Sequence, residues 1–401
     1  MFNLENFINT YVTRRTGSMF ESDIISHVDS LLAAIENKSV LVIGGAGSIG
    51  SSFIHAILPF RPAELYIVDT NENALTELTR DLRSSRIYVP AVYVSYPMDY
   101  NSITFRRMFC AHHGFDIVAN FSAHKHVRSE KDIYSVEALL RNNVINAKGL
   151  LELLTEYEPE TYFCVSTDKA ANPVNIMGAS KRIMEDMVFS YSDIFPVKTA
   201  RFANVAFSNG SLPVGFLERI NKFQPISAPS DVRRYFVSPA ESGQICMLAA
   251  MLGNNREIFF PKLKETQMTT FDAIAEDLLK EYGYEIKYCE SDEEAIREAA
   301  ELRNGNKIYP VHFSVSDTSG EKAYEEFVAD NEMTDNDRFR SLGVITGKTV
   351  PDKVAVDDLI VFLDKAFESS AVQKDDIVSI IKNYLPNFEH IETGKSLDGK
   401  M

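Results

Sequence analysis

The stretch KSVLVIGGAGSIGSSFIHAIL, residues 38–58, restricts the fold more than any other part of the chain. An apolar run of strand length leads into Gly44, Gly47 and Gly50, spaced G-x-x-G-x-x-G, and a helical pattern begins at once. Such an order predicts a buried strand, a tight turn and a helix N-terminus. This device, here including Ser48 and Ile49, brings backbone N–H groups and the positive end of a helix to a pyrophosphate. A second strand, ELYIVD at 64–69, ends on Asp69, 19 positions after Gly50. A carboxylate there can bind the hydroxyls of an adenosine ribose and repels a 2′-phosphate, which favours NAD over NADP.

The alternation continues. AVYVS, FDIVANFS and TYFCVST read as strands, separated by the helical stretches ENALTELTRDLRSS, residues 101–113 and VEALLRNNVINAKGLLELLTEY, and followed by GASKRIMEDMVFSY. Apolar strands alternating with helices imply an α/β fold with a doubly wound parallel sheet. Pro59 and Pro62 end the first helix. After about residue 205 the rhythm breaks into GSLPVGFLERINKFQPISAPSDVRRYF, whose Pro and Ser content suits a smaller C-terminal lobe that closes over a site. Four units are expected. Residues 1–38 form a helical extension with Ile24, Ile25, Val28, Leu31, Leu32 and Ile35 on one helix face. Residues 39–205 form the dinucleotide-binding domain. Residues 206–345 form the substrate lobe, interleaved with the last sheet elements. Residues 346–401 form a helical tail that packs or oligomerises.

Composition limits the partners. With 45% hydrophobic and 24% charged residues the chain can bury a core. Its net charge of −16 argues against nucleic acid or an anionic membrane, so an anionic ligand must be held by local cations. No run of about 20 apolar residues could span a bilayer, and no basic leader precedes an apolar segment, so the cytoplasm is expected. Cys110, Cys164, Cys246 and Cys289 show no metal-binding spacing and are expected to be reduced. His124 and His126 lack a third ligand nearby, so no metal is expected.

The chemistry concentrates in VSTDKAANPVNIMGASK, residues 165–181. Thr167, Asp168 and Lys169 close a strand, which in an open α/β sheet points them into the ligand crevice. An adjacent acid and amine can transfer two protons; the plainer reading is an ion pair that caps the strand. Lys181 follows Met177 by four positions.

The glycine spacing, NFSAHKHVRSEKD at 120–132, NNV at 142–144 and the element ending at Lys181 together resemble the extended short-chain dehydrogenase/reductase family. Most of that family carries Tyr where Met177 stands. STDKAANPVNIMGASK resembles more narrowly the bacterial UDP-N-acetylglucosamine 4,6-dehydratases of polysaccharide biosynthesis, one branch of which carries Met. RFANVAFSNGSLPVGF, DVRRYFVSPAES and DTSGEKAYEEF extend the resemblance.

The resemblance implies tightly bound, recycled NAD. Asn120, Ser122 and Ala123 would lie beside its adenine ribose, and Asn143 would support the nicotinamide region with Lys181. Lys125 would lie near the sugar, although it also reads as a surface lysine. Asn204, Ser211 and Arg234 would contact the sugar and diphosphate, aided by Arg201 and Arg233, with Glu321 at the nucleotide ribose. Asn120 and Arg128 depart from many relatives, which carry His and Pro there. The implied reaction is oxidation at C4, loss of water across C5 and C6 with Lys169 as base and Asp168 as acid, and hydride return to C6. Thr167, or a water polarised by Lys181, would relay the C4 proton in place of Tyr. The implied substrate is a nucleotide sugar, UDP-N-acetylglucosamine, and the implied assembly a homo-oligomer. A 4-epimerase, a dehydratase acting on a GDP-linked sugar and an NAD-binding regulatory protein are the alternatives.

Overall fold

Strands buried on both faces need apolar side chains at every position rather than alternate ones. The chain meets this, but for one polar end residue each, in β1 (Ser39–Ile43), β4 (Ile117–Asn120) and β5 (Thr161–Val165), and less fully in β2 (Glu64–Asp69) and β3 (Val92–Pro97), while β6 (Val197–Ala200) is buried throughout yet carries Lys198 and Thr199. The computed structural model describes residues 2–126, 130–316, 324 and 326–391. Its nine-stranded sheet runs β3-β2-β1-β4-β5-β6, then Glu257–Pro261, Leu342–Thr346 and Met333–Asp335. The strands from β3 to Glu257–Pro261 are parallel, and the last two are antiparallel to their neighbours. Val42 lies between Ile67 of β2 and Ala119 of β4, so chain order reverses at β1 and a crevice opens at the carboxyl ends of β1 and β4. The chain therefore has the doubly wound α/β architecture that its alternating pattern predicts.

Helices cover both faces. Ser48–Ile57 packs on Pro239–Leu252 so closely that a Cβ on Gly243 would stand 2.0 Å from the Ser52 carbonyl oxygen. On the other face the long helical pattern after residue 132 is interrupted. Ile133–Leu140 passes through a π-turn at Arg141–Ile145 before Asn146–Leu154. That turn carries Asn142 and Asn143, and such bulges often re-aim side chains at functional sites.

The smaller lobe has its own sheet of parallel strands Glu285–Tyr288, Ile308–Ser314 and Ile226–Pro229. Phe216, Ile274, Leu278 and Tyr309 form its core, and Phe7, Ile8 and Val12 are buried in the same cluster. The expected helix over 24–35 is instead Glu21–Ser26 and Val28–Ile35, broken where His27 leaves helical geometry. The break turns Ile25 and Val28 outward, whereas Leu31 and Ile35 stay buried. Asp23, also buried, accepts the backbone N–H groups of Arg340 and Ser341 at 2.7 and 2.9 Å.

Helices Lys353–Phe367 and Lys374–Tyr384 bury Leu359, Leu363, Ile377 and Ile381 in the core shared with Leu140, Leu151 and Met187. Lys148 meets Asp357 at 3.1 Å and Arg141 meets Asp364 at 2.8 Å across that contact. Among the described residues no helix is long and apolar enough to cross a membrane, and no group of three or more His, Cys, Asp or Glu is placed to hold a metal.

Candidate active site

The glycine turn is built by close approach. Gly44 has φ +70°, and a Cβ on it would lie 2.7 Å from the Ser122 amide nitrogen, so the turn sits directly against the chain leaving β4. A Cβ on Gly50 would meet the Gly44 carbonyl at 2.4 Å. Only bare backbone lets helix Ser48–Ile57 start here. Asp69, at the end of β2, accepts the Ala46 N–H through Oδ2 at 3.0 Å and the Asn71 N–H through Oδ1 at 2.9 Å. The carboxylate is thereby fixed beside the turn with lone pairs to spare for ribose hydroxyls. This cradle fits a dinucleotide: backbone around Gly44, Gly47, Ser48, Ile49 and Gly50 for the pyrophosphate, and Asp69 for the ribose.

Asn120 is buried, and its Oδ1 accepts the Ser122 N–H at 2.9 Å, which bends the chain past Ser122 and Ala123, both half-buried. Asn143 works as a tie. Its side chain accepts the His124 N–H at 2.8 Å and donates to the His124 carbonyl at 2.9 Å and to Ser180 Oγ at 3.1 Å. Ser180 Oγ donates in turn to the Met177 carbonyl at 2.7 Å. The loop after β4 is thus joined to helix Ile176–Phe189, which bears Met177 and Lys181.

Thr167, Asp168 and Lys169 leave the end of β5 in a single turn of 3₁₀ helix. Thr167 Oγ1 donates to Asp168 Oδ1 at 2.5 Å, and Lys169 Nζ lies 3.2 and 3.1 Å from Oδ1 and Oδ2. The Asp168 side chain is 6% exposed and that of Lys169 29%, so the acid is sheltered while the amine can exchange protons with solvent. Lys181 is buried and donates to the Val165 carbonyl at 3.1 Å; its burial pulls the ammonium pKa down to about 8. Met177 is buried too, with its backbone N–H donated to Glu130 Oε1 at 2.8 Å.

The lobe contributes a loop that meets both sides of the crevice. The Asn209 N–H donates to Ser48 Oγ at 2.8 Å, and a Cβ on Gly210 would come within 3.0 Å of His126 Nε2. Ser211 follows at the N-cap of helix Leu212–Lys222, and its buried hydroxyl oxygen has no hydrogen-bond partner among the described residues. Asn204 lies on a short strand paired with Phe236–Val237, and Lys125 is exposed on the loop after β4. Arg234 is buried, and its Nη1 donates to the Arg233 carbonyl at 2.9 Å. Glu321 and Arg128 lie outside the described residues.

Arg201 does not serve where the sequence pattern put it. It is wholly buried, with Nε and Nη2 on Glu185 at 2.8 and 2.6 Å and Nη1 on Glu332 at 2.6 Å, so its charge is spent inside the fold. Glu185 also accepts the Ser166 hydroxyl at 2.6 Å, which anchors the residue before Thr167. Glu185 and Glu130 escaped sequence reasoning. Glu130 stands within NFSAHKHVRSEKD but was given no role there, and its partners come from distant parts of the chain.

Residues 40–346 match the family model described as polysaccharide biosynthesis protein. An uncharacterized membrane protein of Methanocaldococcus jannaschii is 29% identical over 77% of this chain and 86% of its own length. The capsular polysaccharide biosynthesis protein CapD of Staphylococcus aureus is 28% identical over 73% of this chain, which spans only 48% of CapD. A UDP-glucose 4-epimerase of Rickettsia prowazekii is 27% identical over 62% of this chain and 72% of its own length. Among solved structures, Pen from Bacillus thuringiensis superposes with TM-score 0.63 at 19% identity, covering 82% of this chain and 98% of Pen. DesIV of Streptomyces venezuelae, a dTDP-glucose 4,6-dehydratase solved with NAD, gives 0.55 at 17% identity, covering 72% of this chain and 88% of DesIV. At these identities the superpositions establish the fold alone, a doubly wound α/β sheet with a smaller lobe. With the family match running from β1 to the strand Leu342–Thr346, the chain belongs to the polysaccharide biosynthesis protein family.

Proposed function

We propose that this chain is an NAD-dependent nucleotide-sugar 4,6-dehydratase that converts UDP-N-acetylglucosamine to a UDP-linked 4-keto-6-deoxy sugar. The observation that carries the reading is the contact between Asp168 and Lys169 at the end of β5, with Thr167 bonded to the same carboxylate. Elimination of water needs a base for a carbon-bound proton and an acid for a departing hydroxyl, and this pair offers both within one turn of chain. Bound NAD supplies the oxidation at C4 and the reduction at C6.

The side chains manage the protons. Thr167 passes the proton of the C4 hydroxyl to Asp168, to which it is already hydrogen-bonded. Once Asp168 is neutral, its carboxyl no longer favours the ammonium form of Lys169, which gives a proton to solvent to become a base. Lys169 then takes the C5 proton, which the 4-keto group has acidified, while Asp168 gives its proton to the C6 hydroxyl, which departs as water. Asp168 is then a carboxylate again, and Lys169, after returning a proton to C5, regains from solvent the one proton it had released there. Met177 needs no proton in this sequence, because Thr167 and Asp168 do the work assigned elsewhere to Tyr. Asn204, Ser211 and Arg234 bind the sugar and diphosphate, with Lys125 near the sugar and Glu321 at the nucleotide ribose.

The 27% identity to an epimerase favours a second reading, a nucleotide-sugar 4-epimerase. An epimerase needs one acid/base at C4 and leaves the Asp168 and Lys169 pair without a task. An NMR time course with UDP-N-acetylglucosamine in D₂O, without added NAD, tests the proposal. A new C6 methyl with deuterium at C5 is the expected result. Inversion at C4 with C6 unchanged establishes the epimerase. Silence with UDP-, GDP- and dTDP-sugars, NAD then added, leaves an NAD-binding regulatory protein.

A further inference from the structure

The family match ends at residue 346, yet the chain beyond it returns to the segment that joins Lys169 to Lys181. Lys374, opening the helix Lys374–Tyr384, donates Nζ to the Glu130 carbonyl oxygen at 2.8 Å. Past that helix, Phe388 is buried in the same apolar core as Met177, and the Ile391 N–H donates to the Val174 carbonyl at 3.0 Å. His390 Nε2 stands 3.6 Å from Glu130 Oε2, each side chain only 8% exposed.

The other oxygen of that carboxylate accepts the Met177 N–H. Met177 lies in the first turn of helix Ile176–Phe189, where an N–H has no partner within the helix and a negative charge is favoured. Glu130 therefore couples the tail to the helix start. On the far side of the contact, Leu385 and Phe388 of the tail and Pro173 and Val174 of the segment help line a cavity of about 480 Å³. The segment 170–175 is thus held by a hydrogen bond from Ile391 at one point and by Glu130 at its exit.

We propose that residues 374–391 belong to the frame of the active site, with Glu130 and His390 as positioning residues that set the turn between Lys169 and Lys181. The effect on rate rests on the dehydratase reading; the clamp itself does not. Misplacing reacting groups by about 1 Å can cost on the order of 10²-fold in rate, so a clamp on this turn should govern kcat more than substrate affinity.

The test uses full-length His390→Ala, His390→Gln and Glu130→Gln, read by backbone hydrogen exchange and by steady-state kinetics. His390→Ala is expected to speed exchange over residues 174–178 by about tenfold or more with the central sheet unchanged. It is also expected to lower kcat by about tenfold with KM within about twofold. His390→Gln, which can still donate to Glu130, recovers part of both. Glu130→Gln, which keeps an acceptor for the Met177 N–H, gives a milder form of the same pattern. Unchanged exchange over 174–178, acceleration spread evenly across the sheet, or faster local exchange with unaltered kcat each overturns the positioning role. If the wild type turns over no nucleotide sugar, the dehydratase reading falls, and the exchange comparison still decides whether the clamp exists.

Discussion

Asp168 and Lys169 touch, and the chemistry proposed for each depends on the charge of the other. Lys169→Met and Asp168→Asn are each expected to lower dehydration by about 10² to 10⁴. Both should keep their NAD, measured by absorbance of the supernatant after denaturation, because neither residue belongs to the glycine cradle. Retained turnover in either variant contradicts the assignment. Lys181 supplies a pH signature. Burial lowers its folded pKa from the ordinary 10.5 to about 8, so the unfolded chain binds more protons between those values. Stability therefore rises with pH across that window, and the full cost of burying the charge is present below it. Lys181→Met lacks this term: wild type should gain on the variant from pH 8 to pH 10 in urea unfolding, and parallel midpoints would contradict the assignment. These residues were legible because Asp168 and Lys169 are adjacent and Asp69 and Lys181 stand at motif distances. Glu130 and His390 were not, since their contact exists only once the tail has packed. Arg201 misled because its charge is visible in sequence, whereas Glu185 and Glu332, which consume it, come from elements the fold brings together.

The elements that position the site rely on contacts without slack. Gly243 lets helix Pro239–Leu252 lie on Ser48–Ile57, whose N-terminus is the proposed pyrophosphate cradle. Gly243→Ala puts a methyl 2.0 Å from the Ser52 carbonyl, so the helices must part or tilt. A loss of roughly 1–3 kcal/mol is the usual scale of overpacking. NAD should be lost with it, which a stability curve and a cofactor titration on the same sample would show. The ion network beneath β5 is the second such device. Burial works against the Glu332 carboxylate, but the bonds from Arg201 and Lys348 prevail and bring its pKa down to about 2. Its contribution is complete above the ordinary carboxylate pKa and fades as pH falls towards 2. Glu332→Gln leaves part of the Arg201 charge unmatched and is expected to cost roughly 3 to 5 kcal/mol at neutral pH. Wild type and variant should converge in acid; equal unfolding free energies at pH 7 would contradict this account. The first five strands were the easiest elements to read, because buried strands leave apolar runs, whereas β6 passed unread because Lys198 and Thr199 interrupt its run. The breaks at His27 and at Arg141–Ile145 were hidden, since the helical period of apolar residues continues through both.

At the scale of the whole molecule, the sequence foretold the parallel sheet but not how its ends are tied down. The N-terminal residues Phe7, Ile8 and Val12 complete the core of the small lobe, and Asp23 holds the loop before strand Leu342–Thr346. The tail helices, read from their amphipathic pattern as packing or oligomer elements, lie on helices that frame the site. No local rule assigns such contacts, which form between parts of the chain hundreds of residues apart. A chain ending at Asp352 tests how far the sheet depends on the tail. That cut removes Leu359, Leu363, Ile377, Ile381 and Phe388, and uncovers apolar surface beside Leu140, Leu151 and Met187. Each fully buried residue of this kind contributes about 1.5–3 kcal/mol by transfer, a loss that is a large fraction of a typical domain's stability. The truncated chain is expected to melt well below the full chain and to associate through the uncovered helices, observed by calorimetry and light scattering at two concentrations. If it stays monomeric with an unchanged midpoint, the tail is an appendage, and the sheet and its site stand on residues 1–352 alone.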